Sequence, residues 1–376
     1  MFLVYLQPMY LKNLHLLNFK NYASCDMDFS EGINCFVGNN GEGKTNLLDA
    51  IYYLSMCKSY FNYVDSQNIK HSEQYFLLKG IVDLQYEEHE IYCGFKLNQG
   101  KVFKNNNKEY QKLSEHIGLF PCVMISPTDI NLVWQGSDDR RKLIDSIISQ
   151  FDSDYLDNLI NYNKALAQRN ATLKRFAANR YFDTSELEIW DEPLVKMGNE
   201  IHEKRRSFLF EFVPVFNKYY QYLAEGKETV SIHYETNLRT GEFQQILDEA
   251  LDTDRVLQYT SVGIHKEDLT FTINGFNLKK QGSQGQQKSF LIAIKLAQFE
   301  YVKNKKGVKP FLLLDDVFDK LDQSRVSRLM TLVSEDNFGQ IFVTDTHQER
   351  IEDIFEEIKV PVRIFVVKNG DATLAK

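Results

Sequence analysis

Short apolar runs separated by turn residues dominate the first 130 residues of the chain. Six of them have the length and residue types of β-strands, at residues 11–19, 23–29, 33–37, 75–82, 90–96 and 121–125. After the third run, apolar residues recur at helical spacing, which predicts a helix over residues 46–54. One face of that helix carries Leu47, Leu48, Ile51 and Tyr52.

The pattern changes near Gly136 and is helical in period up to about residue 225. One predicted helix face carries Leu143, Ile144, Ile147 and Ile148. Stripes of this kind usually form helix–helix core, although a partner surface is the alternative. We then expect a strand at 228–234, a helix at 243–257 and a hairpin that turns at Asn274-Gly275.

Strands and helices alternate again from residue 310 to the end. We expect strands at 311–314, 340–343 and 360–367, and helices at 325–333 and 350–358. The pattern predicts an α/β lobe built from both chain ends, residues 1–130 and 260–376, with a mainly helical lobe of residues 131–259 inserted between them.

Composition adds few limits to this picture. The formal net charge of −8 disfavours a generally basic nucleic-acid coat but allows a local basic groove. Five widely spaced cysteines without a C-x-x-C pair indicate neither zinc nor a disulfide framework, so we expect reduced thiols in the cytoplasm. No run of about 18 apolar residues is present, and we expect no membrane span. Met9, where the organised pattern begins, is a candidate start beside Met1.

A phosphate-binding loop lies between the third strand and the first helix. Residues 38–45, Gly-Asn-Asn-Gly-Glu-Gly-Lys-Thr, fit G-x-x-x-x-G-K-[ST] in the context that this motif requires. Glycines let backbone N–H groups converge on phosphate oxygens, and the helix start adds partial positive charge. We expect Lys44 to reach the β- and γ-phosphates and the Thr45 hydroxyl to bind Mg²⁺. The predicted ATP-binding residues here are Gly38, Asn39, Asn40, Gly41, Glu42, Gly43, Lys44, Thr45 and Asn46.

An apolar strand at residues 311–316, Phe-Leu-Leu-Leu-Asp-Asp, ends in two acids. Beside a phosphate loop, Asp315 would hold Mg²⁺ and Asp316 would orient or deprotonate the attacking water. About 270 residues separate Asp315 from the loop, a longer interval than small-molecule kinases and GTPases use. The ATP site is therefore expected to be assembled from both ends of the chain.

Residues 282–288, Gly-Ser-Gln-Gly-Gln-Gln-Lys, resemble the ABC-type signature L-S-G-G-Q. In ABC ATPases this motif contacts the γ-phosphate of ATP held by the partner subunit, and the resemblance assigns that task to Ser283, Gly285 and Gln286. A polar loop that caps the next helix is the alternative interpretation.

Two later positions match the ABC pattern more loosely. Leu321-Asp322 stands where ABC proteins place the D-loop that crosses the dimer interface. His347 follows the next strand, as the switch histidine does, and is a candidate γ-phosphate sensor. A solvated loop histidine explains His347 equally well. The predicted catalytic residues are thus Asp316, Lys44 and His347.

Taken in order, these motifs resemble the RecF family of bacterial recombination-repair ATPases, which are related to SMC proteins. The resemblance runs from Met9 to about Val367. Lys20 and Lys288 stand where arginine is common in the family. Lysine keeps the charge but lacks the two-pronged hydrogen bonding of the arginine guanidinium. Ile264 replaces the usual proline. Further matching blocks are Asn18-Phe-Lys-Asn-Tyr22, Ser126-Pro-Thr-Asp-Ile130, Arg140-Arg-Lys-Leu-Ile-Asp145, Tyr162-Asn-Lys-Ala-Leu-Ala-Gln-Arg-Asn170 and Gly263-Ile-His-Lys-Glu-Asp268.

The resemblance implies an ABC-ATPase head, a P-loop NTPase with an inserted helical lobe and no long coiled coil. It also implies an ATP-dependent homodimer with weak, DNA-dependent ATP hydrolysis, in which ATP acts as a dimerisation switch. The implied partners are duplex DNA and gap junctions, RecR and, indirectly, RecO and RecA. The implied roles are DNA repair, replication restart and the SOS response.

Two basic runs are candidate DNA contacts, although such runs are often solvated faces. They are Lys101, Lys104, Lys108 and Lys112, then Arg169, Lys174, Arg175 and Arg180. Two other functions remain open at this point: the ATPase subunit of a transporter and a P-loop kinase for a small molecule. The long interval between motifs disfavours the first, and the signature disfavours the second.

Overall fold

The chain forms two compact units. The first contains residues up to Ile130, Tyr222–Glu225 and residues from Ser283 onward, and the second contains Asn131–Gln221 and Gly226–Gly282. The computed structural model describes residues 7–238, 242–317, 323–334 and 338–375.

An antiparallel sheet forms one layer of the first unit, with strand order β2-β1-β4-β5-β6-β7. Buried and less buried residues alternate along β1, since one face of the sheet packs on the core. Its strands are β1 (Met9–Phe19), β2 (Tyr22–Asp28), β4 (Tyr75–Leu84), β5 (Glu87–Lys96), β6 (Gly100–Asn105) and β7 (Lys108–Glu109).

A second, mainly parallel sheet has the order β15-β14-β3-β13-β12-β8, with only β15 antiparallel to its neighbour. β3, β8, β12 and β13 are buried at every position, as strands covered on both faces are. Its strands are β3 (Ile33–Val37), β8 (Cys122–Ile125), β12 (Phe311–Leu314), β13 (Ile341–Asp345), β14 (Val362–Lys368) and β15 (Asp371–Leu374).

The first helix packs against strands of both sheets, so nearly every residue of it is buried. Its apolar side chains join those of the two sheets in one hydrophobic core that includes Phe19, Phe36, Leu47 and Phe76. The helices of this unit are α1 (Lys44–Met56), α9 (Gln284–Lys306), α10 (Gln323–Ser334) and α11 (Gln348–Glu357).

Burial of His116 is expected to make the first unit less stable in acid. The Nε2–H of His116 donates to the Leu54 carbonyl at 2.7 Å, and burial lowers its pKa to about 4. The unfolded chain binds this proton near pH 6.5 and the folded chain does not, so stability falls as pH drops from about 6.5 to 4, by up to about 3 kcal/mol. We expect the free energy of unfolding of His116→Gln, measured with urea, to fall less between pH 7 and pH 4.5 than that of the native chain. Exposed His71→Gln is the control, and an unchanged pH dependence in His116→Gln would contradict the assignment.

The second unit is mainly helical and contains a three-stranded antiparallel sheet of order β11-β10-β9. The strands are β9 (Val230–Glu235), β10 (Asp268–Ile273) and β11 (Phe276–Asn277). The helices that begin within this unit are α2 (Asn131–Trp134), α3 (Ser137–Ile148), α4 (Ser153–Asn179), α5 (Thr184–Ala224), α6 (Phe243–Glu249), α7 (Leu251–Leu257) and α8 (Leu278–Gln281).

The sequence pattern predicted that the α/β lobe resumes at residue 260, but the second unit continues to Gly282. The reason is strand pairing, because β10 pairs with β9 along its whole length and must stay with it. The sequence pattern showed both strands but not that they pair.

Several of the blocks that resemble RecF-family motifs lie together in the second unit. Arg140 forms a bidentate ion pair with Asp268, at 2.6 and 2.9 Å. Tyr162 Oη lies 2.8 Å from Nδ1 of His265. These blocks therefore stabilise the fold of this unit, whatever else they do.

Candidate functional site

The phosphate-binding loop connects β3 to α1, and its glycines are required by its geometry. Gly41 and Gly43 have φ of 86° and 115°, values that residues with a Cβ rarely adopt. A Cβ on Gly38 would lie 2.3 Å from the carbonyl oxygen of Val367, so a larger residue does not fit there either.

Asn21 braces this loop from the turn between β1 and β2. Its Nδ2 donates to the Glu42 carbonyl at 2.8 Å, and its Oδ1 accepts from Asn46 Nδ2 at 2.7 Å. A Cβ on Gly43 would lie 2.4 Å from the same amide. Sequence reasoning missed this role, although Asn21 belongs to the Asn-Phe-Lys-Asn-Tyr block.

Lys44 begins α1 and is only 4% exposed. Its Nζ donates to the carbonyls of Gly38 and Asn39, at 2.7 and 3.0 Å. A buried ammonium beside a helix N-terminus favours a bound anion, so the loop fits the phosphates of ATP. Asn39, Asn40 and Gly41 are exposed, and Glu42, Thr45 and Asn46 are half-buried.

Asp315 lies directly beside the loop. Its Oδ1 accepts from Thr45 Oγ1 at 2.8 Å and from Thr344 Oγ1 at 3.0 Å, and Ser126 Oγ lies 3.4 Å from Oδ2. Burial raises the pKa of the Asp315 carboxyl above its ordinary value, although the hydrogen bonds from the two threonines offset part of this rise. A hydroxyl and a carboxylate at this spacing are oxygen donors of the kind that Mg²⁺ prefers, and Thr45 and Asp315 therefore fit the predicted metal role.

Asp316 adopts a left-handed backbone conformation with φ of 44°. Its backbone N–H donates to Thr344 Oγ1 at 2.9 Å. Aspartate tolerates this conformation better than most residues, so the chain can turn out of the sheet directly after the strand. The role of Asp316 toward water stays a prediction.

Parallel strand pairing brings these residues together. β13 pairs with β12 up to Leu314 and with β3 up to Val37, so three strands end at one edge of the sheet. The Gly38 N–H donates to the Asp345 carbonyl at 3.3 Å and joins the loop to the end of β13. The carboxyl edge of a parallel sheet is where such folds bind their ligands.

Ser283 is the N-cap of α9 in the first unit. Its Oγ accepts from the Gln286 N–H at 3.2 Å, and Gln286 Oε1 accepts from the Ser283 N–H at 2.7 Å. The signature is thus a helix cap, as the alternative interpretation held, and its role toward phosphate stays a prediction. Gly285 lies against Arg325, whose Nη1 is 2.7 Å from where a Cβ would stand.

His347 follows β13, and its side chain is 71% exposed. Its backbone N–H donates to Asp345 Oδ1 at 2.7 Å, and its Nδ1 lies 2.8 Å from Thr346 Oγ1. This placement is compatible with either a sensor or a solvated loop residue. Leu321 and Asp322, the predicted D-loop, lie outside the described residues.

Arg169, one of the eight candidate DNA contacts, is a wrong prediction because it is buried, and Lys101 is largely covered by its own partners. Lys101 is enclosed by Asp65 at 3.0 Å and by the Cys57 carbonyl at 2.8 Å. Arg169 has no exposed side-chain surface and pairs with Asp191 and Asp254, at 2.5 and 2.6 Å. Both lysine and arginine here neutralise acids of their own chain. Lys108, Lys112, Lys174 and Arg180 are exposed, Lys104 is half-buried, and Arg175 is exposed but paired with Glu186.

Lys20, which replaces a common arginine, also has a partner within the chain. Its Nζ lies 2.5 Å from Oδ2 of Asp49, a side chain with no exposed surface. Lys20 therefore compensates a buried carboxylate. All five cysteines are buried, and none of them forms a disulfide.

Two features are absent from the described residues. None of the helices in that part of the chain is long and apolar enough to cross a membrane. Within the same residues, no group of three or more His, Cys, Asp or Glu could hold a metal ion.

Comparison with known proteins identifies the family. A family model for the RecF/RecN/SMC N terminal domain matches residues 10–373. A DNA replication and repair protein RecF from Flavobacterium johnsoniae is 50% identical over 95% of this chain and 99% of its own length. The protein of the same description from Phocaeicola vulgatus is 46% identical over 98% of this chain and 99% of its own.

Solved structures show the same architecture. The recombination mediator protein RecF of the RecFOR pathway, in its ATPrS form, superposes with a TM-score of 0.88 at 31% identity, covering 99% of this chain and 100% of that one. The same protein in its ATP form superposes with a TM-score of 0.88 at 32% identity, covering 99% of each chain. An Smc head domain from Pyrococcus furiosus, at 18% identity and TM-score 0.55 over 98% of this chain and 96% of that one, shares the fold alone. The fold is that of an ABC-ATPase head, as the sequence predicted, and the chain belongs to the RecF family.

Proposed function

We propose that this chain is an ATP-dependent DNA-binding clamp for recombinational repair and replication restart. The observation that carries the proposal is the 2.8 Å hydrogen bond between Thr45 and Asp315, which joins the phosphate loop to an acidic strand 270 residues away. RecF relatives at 50% and 46% identity, and RecF structures in ATP-bound forms, support it.

Each residue of the site has a task in this proposal. Lys44 and the loop amides hold the phosphates, and Thr45 and Asp315 are the ligands for Mg²⁺. When bound, Mg²⁺ neutralises charge on the phosphate oxygens. Asp316 orients the water and accepts its proton, so hydrolysis of ATP to ADP and phosphate needs no further co-reactant. The first unit serves as the ATPase lobe and the second as the helical lobe.

A homodimer would complete the site. Ser283 is exposed, and its resemblance to the ABC signature implies that a second copy of the chain brings it to the phosphates. A two-fold pair forms two such sites at once. ATP favours the closed state because only that state completes its contacts, which makes ATP a dimerisation switch and hydrolysis the release step.

DNA is the proposed ligand of the closed dimer, with RecR, RecO and RecA as the proteins it acts with at single-strand gaps. The exposed basic residues Lys108, Lys112, Lys174 and Arg180 are the remaining candidates for phosphate contacts. Contacts of this kind predict binding that weakens with salt, and binding insensitive to salt would count against them.

The test is DNA binding with and without ATP and Mg²⁺, on a duplex with a single-strand gap. We expect ATP to tighten binding by native protein and neither Lys44→Ala nor Ser283→Arg to respond, because the first loses the phosphates and the second blocks the interface. Ser153→Arg, an exposed serine at the start of α4, is the matched control and should respond like the native chain.

Two outcomes would remove the dimer. One is a Ser283→Arg protein that still binds DNA in response to ATP. The other is sedimentation of the native chain as a monomer with ATP and Mg²⁺ present. Loss of the ATP response in Lys44→Ala alone would leave a monomeric ATP switch.

The transporter and kinase alternatives are not favoured. Relatives that match nearly the whole chain are RecF proteins, and the two-lobed fold matches RecF at a TM-score of 0.88. Transfer of phosphate to an acceptor other than water would restore the kinase, and co-purification with membranes would restore the transporter.

A further inference from the structure

Thr344, in β13, contacts both acidic residues of the site through one hydroxyl. Its Oγ1 donates to Asp315 Oδ1 at 3.0 Å and accepts from the Asp316 N–H at 2.9 Å. A hydroxyl has one proton and two lone pairs, so it can make both bonds at once. The side chain has no exposed surface, and water therefore does not compete for these partners.

The need for Thr344 follows from where the parallel ladder stops. β12 and β13 pair up to Leu314 and Val343, and the chain then turns out of the sheet at Asp316 with φ of 44°. A buried backbone N–H that no longer pairs with a neighbouring strand needs another hydrogen-bond acceptor. Thr344 is the acceptor, and its bond fixes the turn that aims the Asp316 side chain.

We propose that Thr344 is a positioning residue for ATP hydrolysis, which sets both the carboxylate of Asp315 and the backbone turn that presents Asp316. The inference rests on the proposed ATPase function and deepens it. Thr45 shares the same Asp315 oxygen but is itself a metal-ligand candidate. Thr344 can hold Asp315 without being a ligand, as the outer hydrogen-bond partners of metal sites do.

The test is Thr344→Val, which has the same shape and lacks the hydroxyl. We expect single-turnover ATP hydrolysis to slow by about 10- to 100-fold, and the Mg²⁺ concentration for half-maximal thermal protection by ATP to rise about tenfold. ATP affinity in EDTA should change by less than about twofold, since Thr344 does not touch the phosphate loop lysine. Thr344→Ser keeps the hydroxyl and should restore both the rate and the Mg²⁺ response.

Thr172→Val in α4 is the matched control, because it removes another buried threonine hydroxyl, in the second unit. If Thr344→Val does not fold, Thr344→Cys replaces it, since a thiol is a weak donor of similar size. A valine or cysteine variant with native hydrolysis and a native Mg²⁺ half-point overturns the inference. So does a serine variant as impaired as the valine variant, because loss of the hydroxyl would then not explain the loss of activity.

Failure of the proposed function is distinguishable from failure of this inference. A native chain that binds ATP without hydrolysing it contradicts the ATPase. The Mg²⁺ titration still decides on Thr344 in that case, because it reads metal-dependent ATP binding and not turnover.

Discussion

Asp316→Asn is expected to slow ATP hydrolysis by at least about 100-fold while leaving ATP binding intact, because a general base contributes roughly 10²–10⁴-fold. Asparagine has the size of aspartate but cannot accept the proton. It also tolerates the left-handed backbone that Asp316 adopts at φ of 44°. Alanine would add strain of about 1–2 kcal/mol at this position, so loss of the general base could not be separated from backbone strain.

Asp315→Asn separates the two acids. Asp315 accepts from Thr45 at 2.8 Å and is the metal-ligand candidate, so its variant should lose Mg²⁺-dependent ATP binding, whereas Asp316→Asn should keep it. The measurements are single-turnover hydrolysis and ATP titration at several Mg²⁺ concentrations. Asp353→Asn, an exposed acid on α11, is the control.

If Asp316→Asn hydrolyses ATP at the native rate, Asp316 is not the base and the water must be activated elsewhere. If it hydrolyses slowly and also stays on DNA longer, hydrolysis is the release step of the clamp. A slow variant with native DNA residence time would separate hydrolysis from release.

Local chemistry explains what the sequence could predict. The phosphate loop, the acidic strand and the helix after the signature depend on residues adjacent in the chain, and their residue types determine those conformations. Asn21 and Thr344 were missed because each acts across the fold. Asn21 meets the loop from the β1–β2 turn, and Thr344 reaches Asp315 from the neighbouring strand. No spacing rule in the sequence indicates either contact.

Charge was the least reliable guide to function. Lys101 and Arg169 each stand in a basic run, yet both neutralise carboxylates of their own chain. A basic run shows how many charges are near in sequence, but burial decides whether they reach a ligand. The partners of Arg169 are 22 and 85 residues away, so its ion pairs required the fold.

Arg205→Met is expected to destabilise the second unit by about 3–5 kcal/mol, because removing one partner leaves buried charge uncompensated. Arg205 is 2% exposed and pairs with Glu267 at 2.6 Å and Asp145 at 2.8 Å. It also donates to the Ile264 carbonyl at 2.9 Å. The melting temperature should fall by on the order of 10 °C. Differential scanning calorimetry and urea unfolding measure both quantities.

Arg206→Met is the matched control for Arg205→Met, and the pH dependence of stability tests whether uncompensated charge causes the effect. Arg206 is 48% exposed and pairs across one helical turn with Glu203, so Arg206→Met should change stability by less than about 1 kcal/mol. Burial would raise the pKa of Glu267, but His202 and Arg205 hold it below its usual range. A lowered carboxyl pKa stabilises the fold above about pH 4.5 and ceases to do so as pH falls. The gap in stability between Arg205→Met and the native chain should therefore narrow as pH drops below about 4.5. A gap that stays constant there would mean that lost packing, not uncompensated charge, causes the destabilisation.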